Sequence, residues 1–284
     1  MAVTGELHRL DGTVTVRRAL ERLENGAWRS EGAGCSWARA VAFGWHDVEI
    51  LNGVPALRRN FLDGVAARLY PSHRAALVRF RQILARRNSV LQRGGADAAA
   101  QLGPWDEQFA AVGMELVDRR RRATAALQTE ISRIYPCLAG ECHKIELSYR
   151  CSVGEAAEPA ALFAALERHR REELRRGQTI VGPHRDDVLV ELDGADARVF
   201  GSRGQQRLLA LALRLAELLP ITEATGTSPV LLLDDALSEL DPSVRDNVLR
   251  EIEAAEQVFL TTPEPLPVAA GGRWAIHAGG LAAA

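Results

Sequence analysis

Pro229-Val230-Leu231-Leu232-Leu233-Asp234-Asp235 is the stretch that decides the fold of this 284-residue chain. An extended segment that is apolar on both faces reads as a central parallel strand covered by helices on each side. Two acids at its end place carboxylates at the carboxyl edge of the sheet, where ligands bind in such folds. The first acid can hold a water-coordinated Mg2+ ion, and the second can orient a water that attacks a phosphate. Ser238-Glu239-Leu240-Asp241-Pro242 follows at once, with Asp241 suited to a helix N-cap and Pro242 to the first helical position.

Working outward, strands and helices alternate around this core. Thr179-Ile180-Val181 reads as a short strand ending at Gly182-Pro183. Val188, Val190 and Leu192 alternate toward Asp193-Gly194, a hairpin turn signal because both residues tolerate positive φ. Helices are expected over 204–219 and 242–255, and a strand over 257–261. Ahead of the first of these helices stands Gly201-Ser202-Arg203-Gly204-Gln205-Gln206-Arg207. Ser202 and Gln205 fit a capping box, which leaves free backbone N–H groups at the helix start. Such a terminus attracts phosphate through its donors and its dipole, and Gly204 lets the backbone come close to a ligand.

Taken in order, these strings resemble an ATPase head of the ABC type. Ser202 to Gln206 looks like the signature, Val230 to Asp235 resembles the Walker B strand, and Ser238 to Asp241 resembles the D-loop. Gly182-Pro183-His184-Arg185-Asp186-Asp187 is similar to a block typical of the bacterial RecF family. So are Asn52-Gly53-x-Pro55-x-x-Arg58-Arg59-x-Phe61-Leu62-Asp63 and Arg86-Arg87-Asn88 with Leu91. The resemblance covers the chain from about Ala40 to its end. It implies an α/β P-loop NTPase head of the ABC type, incomplete here, with a helical second lobe. Two such heads clamp ATP when they dimerise. By the resemblance, Ser202, Arg203, Gly204, Gln205, Asp241 and Thr262 would meet nucleotide, with Ser202 and Gly204 acting in trans. Asp234 would serve Mg2+, and Asp235 stands at the place of a catalytic acid. DNA at single- and double-strand junctions, a second copy of the chain and other recombination mediators are the implied partners, in the cytoplasm.

One part of the pattern is missing. A phosphate-cradling loop needs G-x-x-x-x-G-K-[ST], with lysine on the β- and γ-phosphates. The only lysine is Lys144, in Glu141-Cys142-His143-Lys144-Ile145, with no glycine before it and no serine or threonine after it. In the family this motif lies near the N-terminus, so the chain reads as a member lacking its first part. The alternative is a non-catalytic DNA-binding or scaffold paralogue. A transporter-type head is disfavoured by the arginine-rich helical lobe and by the 182–187 block.

That lobe runs from about 58 to 176, flanked by a remnant of the head over 1–57 and the rest of the head over 177–284. Helices are expected on either side of breaks at Leu69-Tyr70-Pro71 and Arg93-Gly94-Gly95, then a strand near 145–149 and a charged helix over 159–176. From Arg58 to Arg93 there are nine arginines and one acid, Asp63, and Arg119 to Arg122 adds a second cluster. Arginine pairs bidentately with phosphate, so Arg58, Arg59, Arg86 and Arg87 are candidate DNA contacts. Aromatic residues make up only 5% of the chain, which favours backbone contact over base stacking.

Composition closes off other classes. With 47% apolar and 25% charged residues the chain can build a core, and its net charge of −2 excludes a uniformly basic protein. No apolar run approaches the roughly 20 residues of a membrane span, and the first ten residues lack a signal-peptide pattern. Cys137, Cys142, His143 and Cys151 lack the C-x2-C spacing of a zinc site, and the four cysteines are too scattered for a disulfide framework. Residues 1–40 are weakly patterned and suggest strand remnants without a sheet of their own, with a turn at Asp11-Gly12.

Overall fold

The computed structural model describes residues 2–9, 12–23, 28–31, 39–95, 97–155, 158–264, 271–277 and 280–283. At the N-terminus β1 (Ala2–Arg9) and β2 (Gly12–Arg22) form an antiparallel hairpin with Arg9 opposite Gly12, and β3 (Trp28–Glu31) pairs with β2. The segment thus makes a three-stranded antiparallel sheet, where the loose alternation suggested isolated remnants. Asp11 of the expected turn lies outside the described residues.

β4 (Ala40–Phe43) leads through a 3-10 turn (Trp45–Val48) and the short α1 (Glu49–Asn52) into α2 (Pro55–Leu69), α3 (His73–Arg93) and α4 (Ala98–Ala139). The breaks fall where the sequence puts them: Tyr70-Pro71 stops α2, and Gly94 ends α3 at φ +61°, a conformation that costs glycine little. β5 (Ile145–Arg150) and α5 (Pro159–Arg176) follow as expected. β6 (Asp187–Leu192) buries Val188, Val190 and Leu192, and turns through Asp193 and Gly194, both at positive φ, into β7 (Ala195–Asp196). Next come α6 (Ala197–Phe200), α7 (Arg203–Leu215), α8 (Leu218–Thr225), β8 (Val230–Asp234), α9 (Pro242–Ile252), β9 (Val258–Thr261) and the hairpin β10 (Trp274–His277) with β11 (Gly280–Ala283). Among the described residues no helix is long and apolar enough to cross a membrane.

The head sheet has the order β4-β8-β9, all parallel, with β8 in the centre. A second sheet, β5-β6-β7, is antiparallel. Two expectations need correction. Thr179 to Val181 is not a strand, because side chains take its backbone donors: Asn88 accepts the Thr179 N–H at 2.8 Å and Glu173 accepts the Ile180 N–H at 3.0 Å. And β8 is packed on one face only among the described residues. Leu231 and Leu233 enter the core with Val41 and Phe43, whereas Leu232 is 37% and Phe259 52% exposed.

Buried apolar residues gather in two main clusters that meet along α4, a helix of 42 residues and about 63 Å. The N-terminal half of α4 packs Phe109 and Leu116 against Phe80 and Ile83 of α3 and Leu162 and Leu166 of α5. Its C-terminal half packs Leu127, Ile131 and Ile134 into the head core with α2, β6, α7 and β8. Borders at 57/58 and 176/177 therefore cut across the head core, because helical periodicity carries no mark where a continuous helix passes from one core to another. One rigid helix joins lobe to head.

Candidate nucleotide edge and lobe clamp

The carboxyl ends of three strands converge on Asp234. Leu233 pairs with Phe43 of β4 and Leu260 of β9, so Asp234 lies opposite Thr261, and Gly44 follows Phe43. The Thr261 hydroxyl donates to Asp234 Oδ1 at 2.6 Å and accepts the Asp235 N–H at 3.1 Å. Gly44 lies beside Asp234: a Cβ built on it would stand 4.0 Å from Asp234 Cβ, an ordinary contact. Asp235 takes φ +52°, and its carboxylate accepts a short hydrogen bond from Ser238. Asp241 occupies the N-cap position of α9, yet its side chain makes no capping bond and stays exposed. Thr262 turns toward its own loop, donating to the Glu264 carbonyl at 3.1 Å. The hydroxyl beside the two acids is that of Thr261. Strand alternation separates these neighbours, and the paired register, which the sequence does not carry, selects between them.

α7 starts with the expected capping box. Ser202 Oγ accepts the Gln205 N–H at 3.2 Å, and Gln205 Oε1 accepts the Ser202 N–H at 2.9 Å. The N–H groups of Arg203 and Gly204 remain at the open end, and nothing lies within 4 Å of a Cβ placed on Gly204. Two neighbouring residues escaped the sequence reading. Gln206 donates to the carbonyls of Ala197, Arg198 and Gly201 and so fixes the loop before the helix. Arg207 reaches the Asp235 carbonyl at 2.5 Å with its guanidinium 5.9 Å from the Phe43 ring centroid. One arginine, one turn into α7, thus ties the signature helix to the acidic strand end. Its position after Gln206 in a run of polar residues was the only sequence signal.

The 182–187 block holds lobe and head together. Gly182 has φ +118°, and a Cβ there would come within 2.8 Å of Phe109, so only glycine fits. The Pro183 carbonyl accepts from Arg120 at 2.7 Å. Asp186 accepts from the Ser152 N–H at 2.7 Å and from Tyr149, while its carbonyl accepts from Arg59 at 2.8 Å. Asp187 is clasped by Arg58 through bonds of 2.7 and 2.9 Å. Arg120 itself clasps Asp63 at 2.8 Å twice. Burial would raise the Asp63 carboxyl, but bonds from His73 and Arg120 outweigh it and hold the group below its usual range.

His184 donates from Nε2 to the Thr179 carbonyl at 3.1 Å and lies against Phe80 and Phe109, with Nδ1 buried and unpartnered. Burial lowers its imidazole from 6.5 to about 4. The unfolded chain takes up a proton below that ordinary value, and the folded chain resists it. Stability is therefore full above pH 6.5 and falls as pH drops toward 4, by up to about 3 kcal/mol. Denaturant midpoints across this range should show the decline, and His184→Gln should flatten it. An unchanged slope in the variant would contradict this account.

The four arginine candidates for DNA separate sharply. Arg58 and Arg87 are 3% and 0% exposed. Arg58 binds Asp187 and the carbonyls of Leu51 and Gly53, and Arg87 binds Asp106, Thr179 and Glu173 at 2.7, 2.7 and 2.6 Å. Neither can reach a nucleic acid: Arg87 serves buried carboxylates and Arg58 a half-buried one. Arg59 is half-buried on Asp186, and only Arg86 is exposed among the four. Arg120 leaves the second cluster in the same way, since it is 3% exposed.

Comparison with known proteins agrees with these strings. The DNA replication and repair protein RecF of Heliobacterium modesticaldum is 37% identical over 277 residues, covering 93% of this chain and 74% of the relative. The protein of the same description from Herpetosiphon aurantiacus is 40% identical over 232 residues, covering 80% of this chain and 60% of the relative. The chain thus spans 60–74% of the length of these relatives. Two solved structures of the recombination mediator protein RecF in the RecFOR pathway superpose on it. One, with ATP, gives a TM-score of 0.84 at 27% identity, covering 100% of this chain and 79% of that one. The other, with an ATP analogue, gives 0.81 at 27% identity, covering 99% and 80%. No family model matches the sequence.

Proposed function

The chain belongs to the RecF family of DNA replication and repair proteins, and from that premise we propose that it binds DNA in replication and recombinational repair and carries half of an ATP clamp. The carrying observation is the edge where Thr261 bridges Asp234 and Asp235 and Arg207 joins them to the signature helix.

The residues present fit Mg2+. A hydroxyl and two exposed carboxylates are the hard oxygen donors it takes, together with waters and phosphate. The open N–H groups of Arg203 and Gly204 with Ser202 fit a phosphate at the α7 terminus. ATP, when bound, supplies the phosphoryl group for hydrolysis. Asp234 would hold the metal, Asp235 would orient water with Ser238 fixing its carboxylate, and Asp241 and Thr262 would border the site. A lysine-bearing cradle is a different matter: no G-x-x-x-x-G-K-[ST] occurs in these 284 residues. The signature half therefore serves nucleotide held by a partner subunit, in a dimer that acts in the cytoplasm with other recombination mediators. The same missing lysine favours a second reading, a DNA-binding scaffold without turnover.

Steady-state ATP hydrolysis by the chain, with and without duplex DNA, tests the proposal. The expected result is no turnover above that of Asp235→Ala, with DNA binding retained by both. Turnover that Asp235→Ala removes would contradict the half-clamp, and absence of DNA binding would contradict the proposed role.

A further inference from the structure

Arginine is almost the only cation in this chain, so its abundance on a surface means little until the structure shows which arginines are already engaged. On α4 and α5 several arginines have carboxylates beside them, although the exposed Arg168 and Arg171 of α5 make no ion pair among the described residues. Arg119 pairs with Glu115 at 2.6 Å, Arg122 with Asp118 at 3.1 Å, Arg133 with Glu130 and Glu251, and Arg176 with Glu172 at 2.6 Å. α3 differs. Its 21 residues contain no acid.

The buried face of α3 is Ala76, Phe80, Ile83, Arg87, Val90 and Leu91, and this face docks on α4 and α5. Leu77, Leu84 and Asn88 flank this face half-buried, and the opposite side of the helix faces solvent. Arg79, Arg86 and Arg93 recur every seven residues, so they form one rail with a rise of about 10.5 Å per step. Arg74 and Arg81 form a second rail, about 140° away around the axis. Arg79 is spoken for by Glu115 at 3.0 Å, and among the described residues Arg93 bonds only the Ser89 carbonyl of its own helix. Arg74, Arg81 and Arg86 are exposed and make no ion pair among the described residues. Between the rails the exposed residues include Ala75, Val78, Gln82, Ala85 and Ser89.

Three free guanidinia on a rigid helix of about 31 Å, with no acid nearby in sequence, are suited to a polyanion of regular charge spacing. The strip between the rails has no aromatic ring on which an unpaired base would stack, which argues against a single strand. Resting on the DNA-binding reading above, we propose that the outer face of α3 is the surface that contacts the backbone of duplex DNA, with Arg74, Arg81 and Arg86 as the phosphate contacts. Sequence position alone mixed this surface with Arg58 and Arg87. Burial separates the two groups.

The test is anisotropy of a labelled duplex titrated with the full chain at several salt concentrations. The wild type is compared with Arg74→Gln/Arg81→Gln/Arg86→Gln and with a charge-matched control, Arg122→Gln/Arg171→Gln/Arg175→Gln. Each lost phosphate contact should flatten the slope of log K against log salt by about 0.9. The α3 variant is expected to lose two to three such steps and at least tenfold in affinity, while the control stays within about threefold. Circular dichroism melts confirm that both variants fold. If the wild type binds no duplex, the DNA-binding reading itself fails. If it binds and the α3 variant matches it, or the control loses as much, the assignment to α3 fails alone. A loss seen with single-stranded but not duplex DNA would also overturn it.

Discussion

Arg87→Ala is expected to destabilise the fold by about 3–5 kcal/mol, the usual cost of removing one partner from a buried ion cluster. Arg87, Asp106 and Glu173 are all fully buried. Glu173 also accepts the Ile180 N–H at 3.0 Å, and Asp106 keeps a second partner in Arg170 at 2.6 Å. Deleting the guanidinium leaves Glu173 without a cation in the interior and frees the Thr179 hydroxyl's acceptor position. It also removes packing over the Phe109 ring, 5.7 Å from the guanidinium carbon. Because the cluster ties α3 to α4 and α5, the lobe should loosen as a unit. Urea midpoints read the effect. The neighbouring Arg86→Ala should change stability by less than about 0.5 kcal/mol, since that side chain is exposed. Adding Glu173→Gln to Arg87→Ala should recover part of the loss. An Arg87→Ala midpoint equal to that of Arg86→Ala would contradict the buried-cluster account.

That pair of neighbours also shows where sequence reading stops. Helix ends were legible where their chemistry is local: Gly94 closes α3 and Gly177 closes α5 at positive φ, and the Asp193-Gly194 turn needs two such residues. The order of acidic strand end, signature and D-loop was legible because each string has a fixed length. Arg86 and Arg87, by contrast, are identical in type and adjacent, and they differ by 100° around a helix. Only the packing of α4 and α5 decides which is buried. The carboxylates that engage Arg58 and Arg87 lie 129 and 86 residues away at Asp187 and Glu173. The choice between Thr261 and Thr262 was hidden in the same way, behind the register of β9 on β8. Leu232, apolar in a wholly apolar strand, gave no sign that its face is exposed.

Asp234→Ala should remove divalent-cation binding at the strand edge altogether. Asp234 is exposed and gives one oxygen to the Thr261 hydroxyl, while Asp235 is engaged by Ser238 and, through its backbone, by Thr261 and Arg207. One carboxylate is therefore free to take a metal through its outward oxygen, and the other is already oriented. Mn2+ suits the same oxygen donors as Mg2+ and is paramagnetic. It reports binding even when affinity is weak.

The most direct measurement is the paramagnetic broadening of backbone amide signals as Mn2+·ATP is titrated into the chain. The account predicts broadening centred on Gly44, Asp234, Asp235 and Thr261 in the wild type and its loss in Asp234→Ala. Broadening that is unchanged in the variant, or centred on another part of the molecule, would contradict it.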